Sequence, residues 1–135
     1  LNAVEVGLYA KLAADSAIVA KLGSAKIYNL VIPQGISLPA IRCFYSGGGE
    51  ENLTPTRSFS TVYGVIGVSE TSMKHAGEIA DLIDACLHGG TLTVSGWTNQ
   101  FWTAREGLIR FHELDEAGKD YWHAGAYYRI RASAS

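Results

Sequence analysis

The sequence has 135 residues, 47% of them hydrophobic and 18% charged, with a formal net charge of −2. That length suits one domain with its own core, and the apolar content excludes a disordered chain. The low charge favours a subunit that buries surface against copies or partners, and the mild acidity argues against tight binding to nucleic acid phosphates.

The chain opens on helical signals. Asn2 followed by Glu5 approximates a capping box, and Val4, Leu8 and Leu12 repeat as one apolar stripe. Asp15 or Ser16 can cap a second short helix lined by Ile18, Val19 and Leu22 and stopped by Gly23; one kinked helix is the alternative. This stretch lacks the basic start and apolar run of a signal peptide, and no segment reaches the roughly 20 apolar residues that span a membrane. A soluble protein made in the cytosol is the expectation, with an initiating methionine or tag lost before Leu1.

Lys26-Ile27-Tyr28 forms a short extended piece, and Pro33, Gln34, Gly35 and Pro39 enforce a loop. Ala40–Ser46 alternates as a strand, with Ile41, Cys43 and Tyr45 on one face and Arg42 and Phe44 on the other. Gly47, Gly48, Gly49, Glu50, Glu51 and Asn52 predict a mobile hairpin-like loop ending near Pro55, because three glycines are entropically costly to order and adjacent acids repel. Arg57–Ser69 is rich in β-branched and aromatic residues and reads as a long strand.

Thr71 or Ser72 caps the next helix. Ala76, Ile79, Ile83 and Cys86, flanked by Ala80 and Leu87, mark its core face; Lys74, Glu78 and Asp81 mark the wet one, and His88-Gly89-Gly90 ends it. A short strand over Thr91–Ser95 and a long one over Phe101–Leu114, weak at Gly107, come next. A polar turn over Asp115–Asp120 containing Gly118 leads into a last strand over Tyr121–Ala132. The predicted order is α-α-β-β-α-β-β-β. It describes a single α+β domain over 1–135, with N-terminal helices and a mostly antiparallel sheet carrying one major helix on a face.

Catalytic and metal-binding patterns are weak. The triple glycine at Gly47 lacks both the spacing and the strand–helix setting of a phosphate loop. His112-Glu113 begins a zinc-protease pattern without its second histidine, and on a strand the two side chains diverge. His75 and His88 are thirteen residues apart on one helix, about 19 Å along its axis, so they share no ion. His123 reads as a packed or surface histidine. Glu113, Asp115 and Glu116 read as a solvated acidic run, and no serine lies in G-x-S-x-G. Cys43 and Cys86 are isolated in apolar contexts and read as core. No enzyme, cofactor or metal is expected.

The ordered fragments resemble a known family. Leu8-Tyr9-Ala10-Lys11-Leu12-Ala13-Ala14-Asp15 is followed by Lys26-Ile27-Tyr28-Asn29, Pro33-Gln34-Gly35 and Leu38-Pro39-Ala40-Ile41. A helix then closes on Ala85-Cys86-Leu87-His88-Gly89, and the chain ends with Asp120-Tyr121-Trp122-His123 and Tyr127-Tyr128-Arg129-Ile130. In this order they resemble the tail-completion, or tail-terminator, proteins of long-tailed bacteriophages, prophages and gene transfer agents. The glycine-rich Gly47–Asn52 stretch and the aromatic Gly96–Trp102 segment depart from that pattern.

The resemblance implies a homo-hexameric ring in the virion, made in the bacterial host cytoplasm. It sits at the head-proximal end of the tail, caps the tail tube and meets a head-tail connector or stopper protein. DNA passes its lumen without specific binding. Two stretches are candidate partner contacts: Gly47, Gly48, Gly49, Glu50, Glu51 and Asn52, and Asp115, Glu116, Gly118, Lys119 and Asp120. The alternatives are a neck or head-completion adaptor, or a small-ligand-binding domain in which Trp97, Trp102 and Trp122 share a pocket.

Overall fold

A computed structural model describes residues 2–51 and 56–134. Its elements are α1 (Asn2–Ala13), α2 (Ser16–Leu22), β1 (Ile27–Asn29), β2 (Ala40–Glu50), β3 (Ser58–Ser69), α3 (Met73–Leu87), β4 (Asn99–Gln100), β5 (Ala104–Leu114) and β6 (Asp120–Ser133). The α+β expectation holds: the strands form one six-stranded sheet in the order β1-β2-β3-β6, with β4 and β5 both pairing the far side of β6. Every pairing is antiparallel except β1–β2.

Local chemistry sets the helix ends. Asp15 caps α2 by accepting from the Ile18 N–H at 3.1 Å, and Gly23 closes it at φ 89°. Ser72 caps α3 by accepting from the His75 N–H at 3.1 Å. The capping box expected at Glu5 does not form. Its carboxylate instead accepts from the Tyr63 hydroxyl at 2.8 Å and from the Asn29 amide at 2.9 Å, tying α1 to β3 and β1.

All three helices cover one face of the sheet. Ile41 and Cys43 of β2, Tyr63 and Val65 of β3, and Ala126, Tyr128 and Ile130 of β6 point to that side, where they meet Val4, Leu8, Leu12, Ile18, Leu22, Ile79, Ile83 and Leu87. Glycine admits the closest approach: a Cβ on Gly67 would lie 2.5 Å from Ile79 Cγ2, so α3 sits directly on the β3 backbone. The opposite face has its own packing. The Phe44 ring lies over Gly64 and against Tyr127, with the Arg42 guanidinium 4.7 Å from its centroid.

Two expectations require correction. Thr91–Ser95 forms no strand; Leu92 and Val94 are buried, but a Cβ on Gly7 would meet the Thr93 carbonyl at 2.5 Å, so the segment crosses α1 and not a neighbouring strand. Gly47–Glu50 is not a loop. These residues extend β2 and pair with Val62, Thr61, Ser60 and Phe59 after a bulge that begins at Tyr45. The long partner strand β3 supplies hydrogen bonds that offset the entropy of ordering glycine. Asn52 and Pro55, at the end of the expected loop, lie outside the described residues.

Ile83 is fully buried beneath the sheet. Ile83→Ala is expected to cost about 2–5 kcal/mol by leaving a cavity. Ile83→Asp is expected to abolish the cooperative melt by circular dichroism, because it buries an unpaired charge; a native melt for that variant would show the α3 face to be misassigned.

Candidate assembly surface

The two candidate contact regions lie at opposite ends of the sheet. The β2–β3 hairpin turns near Ser58, which pairs with Ser133 at the end of β6. The β5–β6 hairpin turns before Asp120, and β6 then passes Ser69 through Trp122 at the other end of β3.

Hydrogen bonds preorganise the Asp115–Asp120 turn. Asp115 Oδ1 accepts from the backbone N–H of Ala117 at 2.9 Å and of Lys119 at 2.8 Å, while Oδ2 accepts from the Tyr121 hydroxyl at 3.2 Å. These donors, the Lys119 N–H foremost, hold the Asp115 carboxyl below its ordinary range. Gly118 takes φ 79°, as the tight turn needs. Lys119 pairs with Glu70 at 2.9 Å, anchoring the turn to the end of β3 and raising the ammonium pKa. Asp120 pairs with His112 at 2.7 Å. Glu116 is exposed and takes no hydrogen bond or ion pair among the described residues.

At the other end, Gly48 adopts φ 90°, and a Cβ there would strike the Ser60 carbonyl at 2.2 Å. Only glycine fits. Glu50 is ion-paired with Arg57, and the Glu51 N–H donates to the Ser58 carbonyl at 2.9 Å. Nearby, Arg129 makes a two-point contact with Glu106 at 2.7 and 3.1 Å and donates to Ser60 Oγ at 2.7 Å.

The tryptophans do not converge. Trp97 packs edge-on against Phe59 in the core, Trp102 lies beside His88, and Trp122 beside His112. A cavity of about 480 Å³ between the 30–39 loop and the open sheet face is lined by Leu30, Ile36, Arg42, Val68, Glu113 and His123 among others, and by none of the three. His123, expected to be packed or exposed, is buried. It stacks on Phe111 at 4.2 Å and its Nε2 lies 2.9 Å from Glu113. Among the described residues, no three His, Cys, Asp or Glu gather where they could hold a metal ion. The burial of Cys43 pushes its thiol up to about 12 and leaves it unreactive.

Sequence reasoning missed two features, the tether of Glu5 to Tyr63 and the exposed apolar side chains of β5, and the structure resolves the packed-or-surface alternative for His123 in favour of packed. Leu108, Phe111 and Leu114 are 69%, 42% and 61% exposed. Their presence on both faces of one strand was the available signal, since a strand packed on one side should alternate.

Burial lowers the His123 pKa, outweighing the opposing effect of Glu113. The folded state therefore binds this proton less readily than the unfolded chain does. Stability is expected to fall as pH drops from 7 through the ordinary histidine range near ~6.5. Urea midpoints at pH 7 and about 5.5 test this. His123→Gln should give a shallower pH dependence, and an unchanged one would assign the titration elsewhere.

A family model described as tail completion protein gp17 matches residues 6–130. A solved chain from the virion of a native gene transfer agent particle shares the fold with a TM-score of 0.77 at 13% identity, covering 96% of this chain and 93% of that one. A second solved chain matches with a TM-score of 0.59 at 8% identity, over 97% of this chain and 94% of its own. No curated protein matches the sequence.

Proposed function

The chain belongs to the tail completion protein gp17 family, whose members are structural proteins of the virion tail, and on that premise we propose that it forms a hexameric ring capping the tail tube. The ring ends tail growth at the head-proximal end and presents its other side to the head connector or stopper. Its work is done by binding, with no bond-breaking step.

The observation that carries this reading is the placement of the two hairpins at opposite ends of β3 and β6. A tube of stacked rings exposes the same surface after each addition, so its growth has no intrinsic stop. A terminator must bind that surface on one side and offer a different one on the other. The glycine-flanked Glu50–Glu51 end, tied to Arg57, and the Asp115–Asp120 turn, tied to Glu70 through Lys119, supply two differently built ends on one sheet. The net charge of −2, without a basic stripe, suits a lumen through which DNA slides. The likeness to a chain of a gene transfer agent virion supports the same class of particle.

Deleting the gene and imaging the lysate tests the function. Filled heads without tails, together with tails of abnormal length, are expected; normal joined particles with unchanged tail length would overturn it. A tailed particle lacking only its head-side joint would favour the neck-adaptor reading. Glu116→Lys, at an exposed site, is expected to leave the melting temperature unchanged while reducing the yield of joined particles several-fold. Wild-type yield would remove the turn as a contact.

A further inference from the structure

The sheet leaves two edges open. β1 pairs β2 at Ile41, Arg42 and Cys43, and among the described residues no strand pairs the outer side of β2 from Phe44 to Gly49. At the other margin β5 pairs with β6 alone. An edge as long as β5, without proline and with exposed apolar side chains, is a template for another strand.

Backbone hydrogen bonds fix which groups face outward. The Ile41 N–H donates to the Lys26 carbonyl at 2.9 Å, and the Cys43 carbonyl accepts from the Leu30 N–H at 2.7 Å. Alternate residues of a strand turn these groups to the same side, so Tyr45 presents its own to the empty edge. Beyond the bulge, Glu51 bonds inward to Ser58, which leaves Gly48 and Glu50 outward. The Gly48 carbonyl is held only by its own strand's Tyr45 hydroxyl, at 2.6 Å. On β5, the Asp115 N–H donates to the Lys119 carbonyl at 3.1 Å, which sets the odd-numbered residues back to Ile109 toward β6. Leu108, Arg110, His112 and Leu114 therefore face outward. The free edge begins after Arg105, whose N–H donates to His88 Nδ1 at 3.1 Å.

We propose that β5 of one copy pairs antiparallel with Phe44–Gly49 of the next copy, continuing the sheet from subunit to subunit. This rests on the ring reading above and names its lateral contact. Strand polarity supports it. The series β2, β3, β6, β5 is antiparallel at each step, so β2 and β5 run in opposite directions. Rotation about an axis along the strands preserves direction, and β5 then meets the next β2 antiparallel. The contact joins two different edges, so it repeats around a ring and does not end at a dimer.

The side chains agree with that pairing. Tyr45, Gly48 and Glu50 lie on the helix-covered face of β2, opposite Tyr63, Thr61 and Phe59 of β3. Leu108 and Arg110 lie on the same face of β5, opposite Ala126 and Ala124. With Tyr45 beside Arg110, Leu108 falls over Gly48, which has no side chain to oppose it. Glu50 and Glu51 then approach Arg105 at the start of β5; Arg105 already pairs with Asp84 at 3.5 Å and can share its charge with them. Arg110 makes no ion pair among the described residues and can stack on the tyrosine. Main-chain hydrogen bonds supply the affinity, as in other strand-addition contacts, and the Tyr45 hydroxyl leaves the Gly48 carbonyl when the new strand arrives.

Tyr45 and Arg110 are both exposed, so a Tyr45→Cys, Arg110→Cys double variant should fold. Concentrated protein, or assembled particles, would be oxidised with copper–phenanthroline and run on a non-reducing denaturing gel. Only the double variant should give a covalent ladder ending at the mass of the ring; each single variant and the wild type, with its native Cys43 and Cys86, should stop at monomer or dimer. Leu108→Lys should melt like wild type yet lose the ring by mass photometry. Imaged rings with no ladder and intact Leu108→Lys rings would overturn the edge pairing and leave the ring standing. Adducts to another tail protein alone would assign the edge to that partner and overturn pairing between copies. Absence of rings from wild-type preparations and particles would overturn the ring reading and this contact together.

Discussion

The pairing of β3 with β6 is the interaction on which the rest of the fold depends. It runs the whole length of β3, from Ser58 beside Ser133 to Ser69 beside Trp122, and both faces of these two strands are covered. Double coverage explains why β3 reads as a nearly continuous apolar run and not as an alternation. The glycines within it set how closely the layers approach. Gly67 seats Ile79 of α3 on one face, Gly64 seats Phe44 on the other, and a Cβ on Gly125 would lie 2.0 Å from the Val65 carbonyl. Small residues at the centre let a sheet of this size carry helices on one side and an aromatic layer on the other.

Rigidity extends from that centre to both hairpins. Lys119 links the β5–β6 turn to Glu70, just past β3, and Arg129 links Glu106 of β5 to Ser60 of β3. These ion pairs are exposed or half-exposed and each stabilises the fold little. Their consequence is geometric: the acidic turn and the glycine end of β2 are held at fixed positions relative to the central strands. A surface that must match a partner at several points loses less entropy on docking when it is already ordered.

What the sequence made legible was local. The caps at Asp15 and Ser72, the stop at Gly23, the apolar stripe of α3 and the turn at Gly118 each depend on residues a few positions apart, and each stands as read. The failures were non-local. Gly47–Glu50 has the composition of a loop, and only the presence of Val62–Phe59 alongside makes it a strand. Thr91–Ser95 has the alternation of a strand but finds α1 where a neighbouring strand would be. The parallel pairing of β1 depends on a connection through the 30–39 loop that no periodicity announces. Of the candidate contacts, the Asp115–Asp120 turn was legible as a turn because its side chain–backbone bonds are internal; its place opposite the β2–β3 end required the strand order.

A sheet offers three kinds of surface, and this one assigns them separately. Its faces are taken up by core packing on one side and by the Phe44 layer and the 30–39 loop on the other. Its ends carry hairpins built differently, and among the described residues its two margins, β2 beyond Cys43 and β5, run in opposite directions and pair no further strand. In a ring whose axis runs along the strands, edges make lateral contacts and ends make axial ones. The two sets overlap at the C-terminal corner of β2, where Glu50 and Glu51 belong to both. In the proposed ring, lateral closure would leave the two hairpin ends exposed, and axial contacts could differ from each other without disturbing it. Charge and bulk vary along the same strands: acidic side chains occupy both hairpin ends, at Glu50–Glu51 and Asp115–Asp120, and the C-terminal part of β2 carries three successive glycines. A glycine run that looks like a flexible loop in sequence is here a strand end, and at Gly48 the requirement for glycine comes from φ 90° and the close approach of the Ser60 carbonyl in β3.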